Sequence, residues 1–143
     1  MSPEPSPLAA PPSRGIPPFP FRVLVVDDNR DAADSTAQLL NLCGATARAC
    51  YDGREALAEL VAFNPDVCIL DINMPEIDGV DLAECIQMIV GGKPLLVALT
   101  AVDDDRMRER IDGGVFDLRF AKPADPLTLL RAVGEQLALA KAC

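Results

Sequence analysis

Short apolar runs alternate along the chain with longer stretches in which apolar residues recur at helical spacing. From residue 21 onward, runs of four to six residues each stop at a polar residue, as buried strands do. The stretches between them end at glycine, asparagine or proline, as helices do. The pattern predicts strands over residues 22–26, 45–50, 67–70, 95–99 and 118–121. It predicts helices over residues 29–42, 54–63, 80–90 and 104–111, and a last helix that Asp125-Pro126 opens.

Five strands alternating with five helices are typical of an α/β fold built on a parallel sheet. The strands are apolar throughout, which is expected where helices cover both faces of the sheet. Parallel strands place their carboxyl ends along one edge, and doubly wound folds bind ligands there. We therefore expect a single doubly wound domain with its functional site at that edge.

The first 20 residues lack this pattern and hold eight of the 13 prolines. Such a composition resists helix and sheet alike. We interpret residues 1–20 as a Pro-rich, disordered or extended tail and place the folded domain in residues 21–143. The N-terminus shows no signal-peptide pattern and no apolar run is long enough to span a membrane, which favours the cytoplasm.

Composition excludes several classes of function. The formal net charge is −9 and the 13 basic residues form no stripe, so we expect no direct binding to nucleic acid. The five cysteines form no CxxC pair, and we interpret them as small buried residues in a reducing compartment. The absence of histidine excludes a Ser-His-Asp triad, a Cys-His pair and a His-ligated zinc site. If phosphoryl transfer is the chemistry, any histidine donor lies on another molecule.

Polar residues follow four of the five predicted strands, namely Asp27 and Asp28, Asp71, Thr100 and Lys122. Each has an ordinary explanation when taken alone: Asp28 could cap the next helix, and Lys122 could be a surface charge. Together they predict one polar pocket, in which a hard divalent cation would offset the repulsion between the carboxylates. A cation held by carboxylates beside a lysine is typical of phosphoryl transfer, and an aspartate is the best acceptor available. Lys122 would then pair with Asp71 before transfer.

Four motifs, in this order, resemble the receiver domain of two-component response regulators. They are VLVVDDN at residues 23–29, DINMPEIDG at 71–79, ALTA at 98–101 and AKP at 121–123. The resemblance extends over about residues 21–140. It implies a flavodoxin-like (βα)5 fold with a five-stranded parallel sheet in the order 2-1-3-4-5.

The same resemblance implies a Mg²⁺-dependent phosphoacceptor. Asp71 would take a phosphoryl group from the phosphohistidine of a histidine kinase or a histidine phosphotransfer protein. Asp28 would bind Mg²⁺ directly and Asp27 mainly through water. Asp71 and the backbone carbonyl of Asn73 would complete the metal site.

Thr100 would swing to hydrogen-bond the phosphoryl group, and Lys122 would pair with it. By this resemblance the domain is a switch and not an enzyme, with slow self-phosphorylation and autodephosphorylation. Phosphorylation would change binding to a downstream protein and would allow a phosphorylation-dependent homodimer. Nothing but a short tail follows the last helix, so we interpret the chain as a stand-alone receiver or a piece of a hybrid kinase.

The chain departs from the family three residues before the conserved lysine, where receivers usually carry Tyr or Phe. Arg119 stands at that place, and Phe120 comes one residue later. Because burying an unpaired charge is costly, we expect Arg119 to stay outside, either near residues 103–105 or simply solvated on an edge strand. The aromatic part of the switch would therefore be weak, unless Phe120 takes that role.

Three other functions fit the sequence less well. A protein-interaction module that is never phosphorylated would have no need of the full set of acids and lysine. A phosphatase working through an aspartyl phosphate would want a second acid where Asn73 stands. A flavin-binding protein would want a loop rich in Ser, Thr and Gly after the first strand, where the sequence is Asp-Asp-Asn.

Overall fold

The computed structural model describes residues 21–74, 77–91, 93–100, 109 and 114–142, with the backbone alone at 140–142. Its strands are β1 (Arg22–Val26), β2 (Thr46–Cys50), β3 (Val67–Asp71), β4 (Leu95–Thr100) and β5 (Leu118–Ala121). The helices with described bounds are α1 (Arg30–Leu42), α2 (Gly53–Phe63), α3 (Gly79–Val90) and α4 (Pro126–Ala142). The tail at 1–20 and, except for Glu109, the helix predicted over 104–111 lie outside the described residues. Within the described ranges, no helix combines the length and apolar character needed to cross a membrane.

All five strands run parallel in one sheet with the order β2-β1-β3-β4-β5, as the resemblance implies. The central strand, β3, is buried along its whole length. Strand register aligns the carboxyl ends, since Val26 pairs with Leu70 and Asp71 pairs with Leu99. The residues that follow these strands are therefore neighbours along one edge of the sheet.

Alternate residues of the strands point to two apolar layers, because side chains in a strand alternate between the two faces. Leu24, Cys68 and Leu70 contribute to the layer that α2 and α3 cover. Val25 and Ile69 contribute to the layer that α1 and α4 cover. Apolar packing on both faces explains why the strands read as continuous apolar runs.

Side-chain caps define where the helices begin. The Oδ1 atom of Asn29 accepts a hydrogen bond from the Ala32 N–H at 3.1 Å and caps α1. Asp52 and Asp78 cap α2 and α3 in the same way. The explanation of Asp28 as an ordinary helix cap is therefore wrong, because the next residue performs that role.

Candidate functional site

The carboxyl edge of the sheet brings the predicted polar residues together. Asp27 and Asp28 directly follow β1, and Asp71 is the last residue of β3. Thr100 ends β4, and its backbone carbonyl accepts a hydrogen bond from the Lys122 N–H at 2.8 Å. Residues far apart in sequence are thus neighbours because four adjacent strands end at the same edge.

Three carboxylates form the centre of this site. Asp27, Asp28 and Asp71 each place one oxygen so that all three oxygens lie within 4.8 Å of one another. Asp27 is 3% exposed and Asp71 is 4% exposed, whereas Asp28 is exposed to solvent. Two of the three charges are therefore largely removed from water. Repulsion between like charges is stronger in the protein interior than in water.

Lys122 offsets part of this charge. Its Nζ atom lies 2.7 Å from Asp27 Oδ2 and 3.5 Å from Asp71 Oδ1. Burial opposes the charge on this side chain, but the hydrogen bond to Asp27 and the two carboxylates raise the pKa of Lys122. The lysine is thus held protonated between the two buried acids.

Lys122 has a second acidic partner that the sequence did not predict. The expected pair with Asp71 is present at 3.5 Å, and Asp27 lies nearer to the ammonium group, at 2.7 Å. Asp71 Oδ1 also accepts a hydrogen bond from the Asn73 N–H at 3.2 Å, so the ammonium group shares that oxygen with another donor. The short contact to Asp27 leaves Asp71 less tightly bound by the lysine.

Burial raises the pKa of Asp71 to about 6, and repulsion from Asp27 adds to this effect. Lys122 and the Asn73 N–H act in the opposite direction. The carboxyl group of Asp71 is therefore far less acidic than a solvated aspartate. A further cation near Asp71 would favour its ionised, nucleophilic form.

Backbone contacts hold the loops on either side of the acids. Asp27 Oδ1 accepts a hydrogen bond from the Asn29 N–H at 3.0 Å. A Cβ atom added to Gly79 would lie 2.6 Å from the Asp71 carbonyl oxygen and 2.9 Å from the Ile72 Cα atom. The start of α3 therefore packs against the backbone beside Asp71 with no room for a side chain. The sequence pattern alone did not indicate these roles for Asn29 and Gly79, although both residues lie within the motifs at 23–29 and 71–79.

The donor set suits a hard divalent cation. Every side-chain ligand atom in the cluster is a carboxylate oxygen, which is the type that Mg²⁺ prefers. Burial and the charge of Asp27 raise the pKa of Asp71 even though Lys122 lowers it, so a further cation would favour the ionised carboxylate. Asp27, Asp28 and Asp71 therefore fit a cation. Asn73 lies two residues after Asp71, in the loop that follows β3.

The model of the family described as the response regulator receiver domain matches residues 23–134 of this chain. Apart from Arg22 at the start of β1, that span contains all five strands, and it contains the whole acidic cluster. The chain belongs to the response-regulator receiver family. Its members are phosphoacceptor switches of two-component signalling, so the chain is a receiver and not an enzyme of the ordinary kind.

Curated relatives of this receiver include regulators from Mycobacterium and Mycolicibacterium species. It is 37% identical over 95 residues to the response regulator MprA of Mycolicibacterium vanbaalenii, covering 66% of this chain and 40% of that protein. It is 40% identical over 85 residues to the transcriptional regulatory protein PrrA of Mycobacterium tuberculosis, covering 58% of this chain and 36% of that protein. The receiver thus spans well under half the length of these relatives.

Solved receivers share the fold. Chemotaxis protein CheY4 of Vibrio cholerae has a TM-score of 0.74 at 26% identity, covering 81% of this chain and 98% of that one. A response regulator from Chloroflexus aurantiacus has a TM-score of 0.74 at 28% identity, with 83% and 98% covered. A CheY-like receiver from Methanospirillum hungatei, at 24% identity and a TM-score of 0.77, supports the fold alone; 86% and 98% are covered.

The structure describes both residues at which β5 departs from the usual receiver pattern, Arg119 and Phe120. Arg119 is exposed, as we expected, while the half-buried Phe120 packs against the apolar layer beneath α1 and α4. The two side chains alternate because β5 is a regular strand. The acids at 103–105, which we predicted as neighbours of Arg119, lie outside the described residues.

Proposed function

We propose that Asp71 is the phosphoacceptor and takes its phosphoryl group from a phosphohistidine on a kinase or phosphotransfer protein. The observation that supports this assignment is the cluster itself: Asp71 lies at the end of the central strand, beside two further carboxylates and the ammonium group of Lys122. Because residues 1–143 contain no histidine, the donor histidine lies outside this sequence.

In this proposal Asp28, Asp71 and the backbone carbonyl of Asn73 hold Mg²⁺, and Asp27 acts mainly through water. Bound Mg²⁺ supplies positive charge that offsets the repulsion between the attacking carboxylate and the phosphoryl oxygens. A carboxylate oxygen of Asp71 forms the new bond to phosphorus, which makes its ionised form the reactive one.

Lys122 and Thr100 act on the product. The ammonium group lies 3.5 Å from Asp71 before transfer, and in this proposal it pairs with the phosphoryl group afterwards. In this proposal Thr100 shifts so that its hydroxyl donates a hydrogen bond to the same group. That shift would bias a two-state equilibrium and change which protein partner binds.

Slow self-phosphorylation from small donors and slow autodephosphorylation complete the proposed cycle. We place this cycle in the cytoplasm, supported by free thiols at four cysteines in the described part of the chain. The partners of the mycobacterial relatives are not carried over, because the receiver covers only a fraction of their length.

Intact mass after incubation with Mg²⁺ and acetyl phosphate tests this function. We expect the wild type to gain the mass of one phosphoryl group and Asp71→Asn to gain none. Glu84→Gln, which removes one exposed acid on α3, is the matched control and should label like the wild type. EDTA should stop labelling. A stable adduct on Asp71→Asn, or equal labelling with and without EDTA, would refute the proposal.

A further inference from the structure

A second cavity opens beside the acidic cluster. Its volume is about 460 Å³. The residues that line it are Asp28, Tyr51, Asp52, Gly53, Arg54, Leu57, Met74 and Ile77. We name this cavity the donor cleft. Because Asp28 belongs to both, the donor cleft is an approach to the phosphoacceptor site.

One wall of the donor cleft is apolar and is packed against the core. Leu57 and Ile77 are partly buried against the core beneath α2 and α3, and Met74 is 8% exposed. A Cβ atom at Gly53 would lie 2.6 Å from Ile77 Cγ2, so the start of α2 and the loop after β3 are in close contact. Because these side chains are held by the core, the wall is a preformed apolar surface against which a planar ring could pack.

Arg54 is the cation of this cleft, and it is exposed. Among the residues that the structure describes, it forms no ion pair, whereas Arg48 pairs with Glu59 and Lys122 pairs with the buried acids. Arg30 stacks on the Tyr51 ring at 4.2 Å. Arg54 therefore offers a guanidinium group that no other described side chain has taken.

The acids nearest to Arg54 in sequence are engaged elsewhere. Asp52 accepts a hydrogen bond from the Glu55 N–H at 2.8 Å. Glu55 accepts one from the Tyr51 N–H at 2.7 Å. Both carboxylates thus hold the start of α2 in place, and neither forms an ion pair with the guanidinium group.

We propose that Arg54 is a donor-binding residue and that the donor cleft receives the leaving group of the phosphoryl donor. This inference rests on the proposed function. Guanidinium binds phosphoryl oxygens with two parallel hydrogen bonds, and a chain with net charge −9 otherwise repels a dianion. The planar imidazole of a phosphohistidine suits the wall formed by Leu57, Met74 and Ile77.

The step balances without any further reactant. An oxygen of Asp71 forms the new P–O bond while the P–N bond of the phosphoimidazole breaks. The electron pair of that bond stays on the departing nitrogen, which takes a proton from solvent. Arg54 contacts the phosphoryl oxygens as the donor approaches and is not consumed.

Labelling rates test this role in the full chain. With Mg²⁺ and either acetyl phosphate or phosphoimidazole, Arg54→Gln should lower the second-order rate constant about three- to tenfold, the range for one charge contact near the surface. Arg54→Lys should recover only part of the rate, because lysine keeps the charge but cannot make the two parallel hydrogen bonds. Arg131→Gln removes an equal charge from an exposed site on α4 and should label like the wild type.

Tyrosine fluorescence gives a second measurement that needs no transfer. Tyr51 is the only tyrosine, the chain has no tryptophan, and Tyr51 lines the donor cleft. Titration with acetonylphosphonate, which cannot transfer its phosphoryl group, should change the emission. Its apparent Kd should rise in Arg54→Gln by a factor similar to the loss of labelling rate, while Arg131→Gln should match the wild type.

The outcomes separate the two proposals. If the wild type is not labelled, the phosphoacceptor function fails, and the titration still tests Arg54. If the wild type is labelled while Arg54→Gln matches it in both rate and Kd, the role of Arg54 is overturned. Equal losses in Arg54→Gln and Arg131→Gln also overturn it, because general electrostatic attraction would then explain the effect.

Discussion

Two carboxylates, each at most 4% exposed, share one ammonium group at the carboxyl edge of the sheet. Asp27 takes the short contact with Lys122, and Asp71 is left with a pKa raised to about 6 by burial and by Asp27. A site arranged for stability alone would not bring a third acid, Asp28, into the same cluster. The unfavourable charge distribution at single residues is therefore best explained by a cation and by the reaction.

Asp28→Asn tests this explanation through stability. Without a divalent cation, the substitution removes repulsion from the cluster, so the free energy of unfolding should rise by up to about 1 kcal/mol. With saturating Mg²⁺ the wild type should gain stability through binding, and Asp28→Asn should gain less. Urea unfolding in EDTA and in Mg²⁺ measures both effects, with Glu84→Gln as the control. Equal stabilisation of Asp28→Asn and the wild type by Mg²⁺ would exclude Asp28 as a ligand.

Cys68 permits a prediction of pH dependence away from the site. Burial, with a smaller effect from Cys50, raises the pKa of the Cys68 thiol from 9.0 to about 12. The folded state thus keeps this proton while the unfolded state loses it, so stability is fully present below pH 9 and is lost as pH rises toward 12. One such thiol should cost about 1.4 kcal/mol between pH 8 and pH 10. Unfolding of wild type and Cys68→Ala, under reducing conditions, should show the smaller pH slope in the variant.

At the scale of helices and strands, apolar periodicity was enough to place most elements. The predicted bounds of β1 and β5 match the structure, and α1 and α3 differ by one residue at their starts. The deviations lie where tertiary contacts decide. Asp71 belongs to β3 because it pairs with Leu99, a contact that no local pattern encodes. The closer pairing of Lys122 with Asp27 depends likewise on the three-dimensional arrangement of loops.

The close approach of α3 to the phosphoacceptor strand was also beyond the reach of sequence patterns. Gly79 resembles an ordinary helix-start or turn residue in the sequence. The structure shows that its missing side chain lets α3 contact the backbone at Asp71 and Ile72. The neighbours there are mainly backbone atoms, which cannot move aside as a flexible side chain can.

Gly79→Ala should therefore lower both stability and function. We expect a loss of about 1–3 kcal/mol in the free energy of unfolding, as for other overpacked sites, and slower labelling of Asp71. Gly134→Ala is the matched control, because a Cβ atom there would have no neighbour within 4 Å. In helix α4 that control should raise stability by up to about 1 kcal/mol. Urea unfolding and intact mass measure the two effects; a Gly79→Ala protein as stable and reactive as the wild type would contradict the contact.

At the scale of the whole molecule, the sheet connects the site to the surface beside β5. Thr100 and Lys122 lie at the ends of neighbouring strands, and β5 passes from Lys122 toward the face beside α4. We propose that the output surface is formed by the predicted helix over 104–111, by β5 and by α4. Rigid packing between such elements favours discrete rather than graded shifts.

Hydrogen exchange tests this placement of the output surface. Backbone amides should differ most between the phosphorylated and unphosphorylated protein over about residues 100–124, because Thr100 and Lys122 contact the phosphoryl group directly in our proposal. Mass-spectrometric exchange with and without acetyl phosphate measures the change, and Asp71→Asn should show none. Differences confined to α2 would contradict the proposed surface.

Our hypothesis is that this receiver has a weak aromatic switch, because Arg119 stands where receivers usually carry Tyr or Phe. Phe120 already packs in the apolar layer beneath α1 and α4, so moving it on phosphorylation would disrupt that layer. Arg119 is exposed on the other face of β5, where a guanidinium group cannot turn inward without a large cost of desolvation. Arg119→Tyr should therefore enlarge the exchange difference over residues 100–124, while labelling of Asp71 continues at the wild-type rate.

Phe120→Ala should lower the free energy of unfolding by about 1–3 kcal/mol, less than for a fully buried ring, and should keep the exchange response to phosphorylation. If Phe120→Ala abolishes the response and Arg119→Ala leaves it unchanged, Phe120 is the switch residue and our hypothesis is wrong.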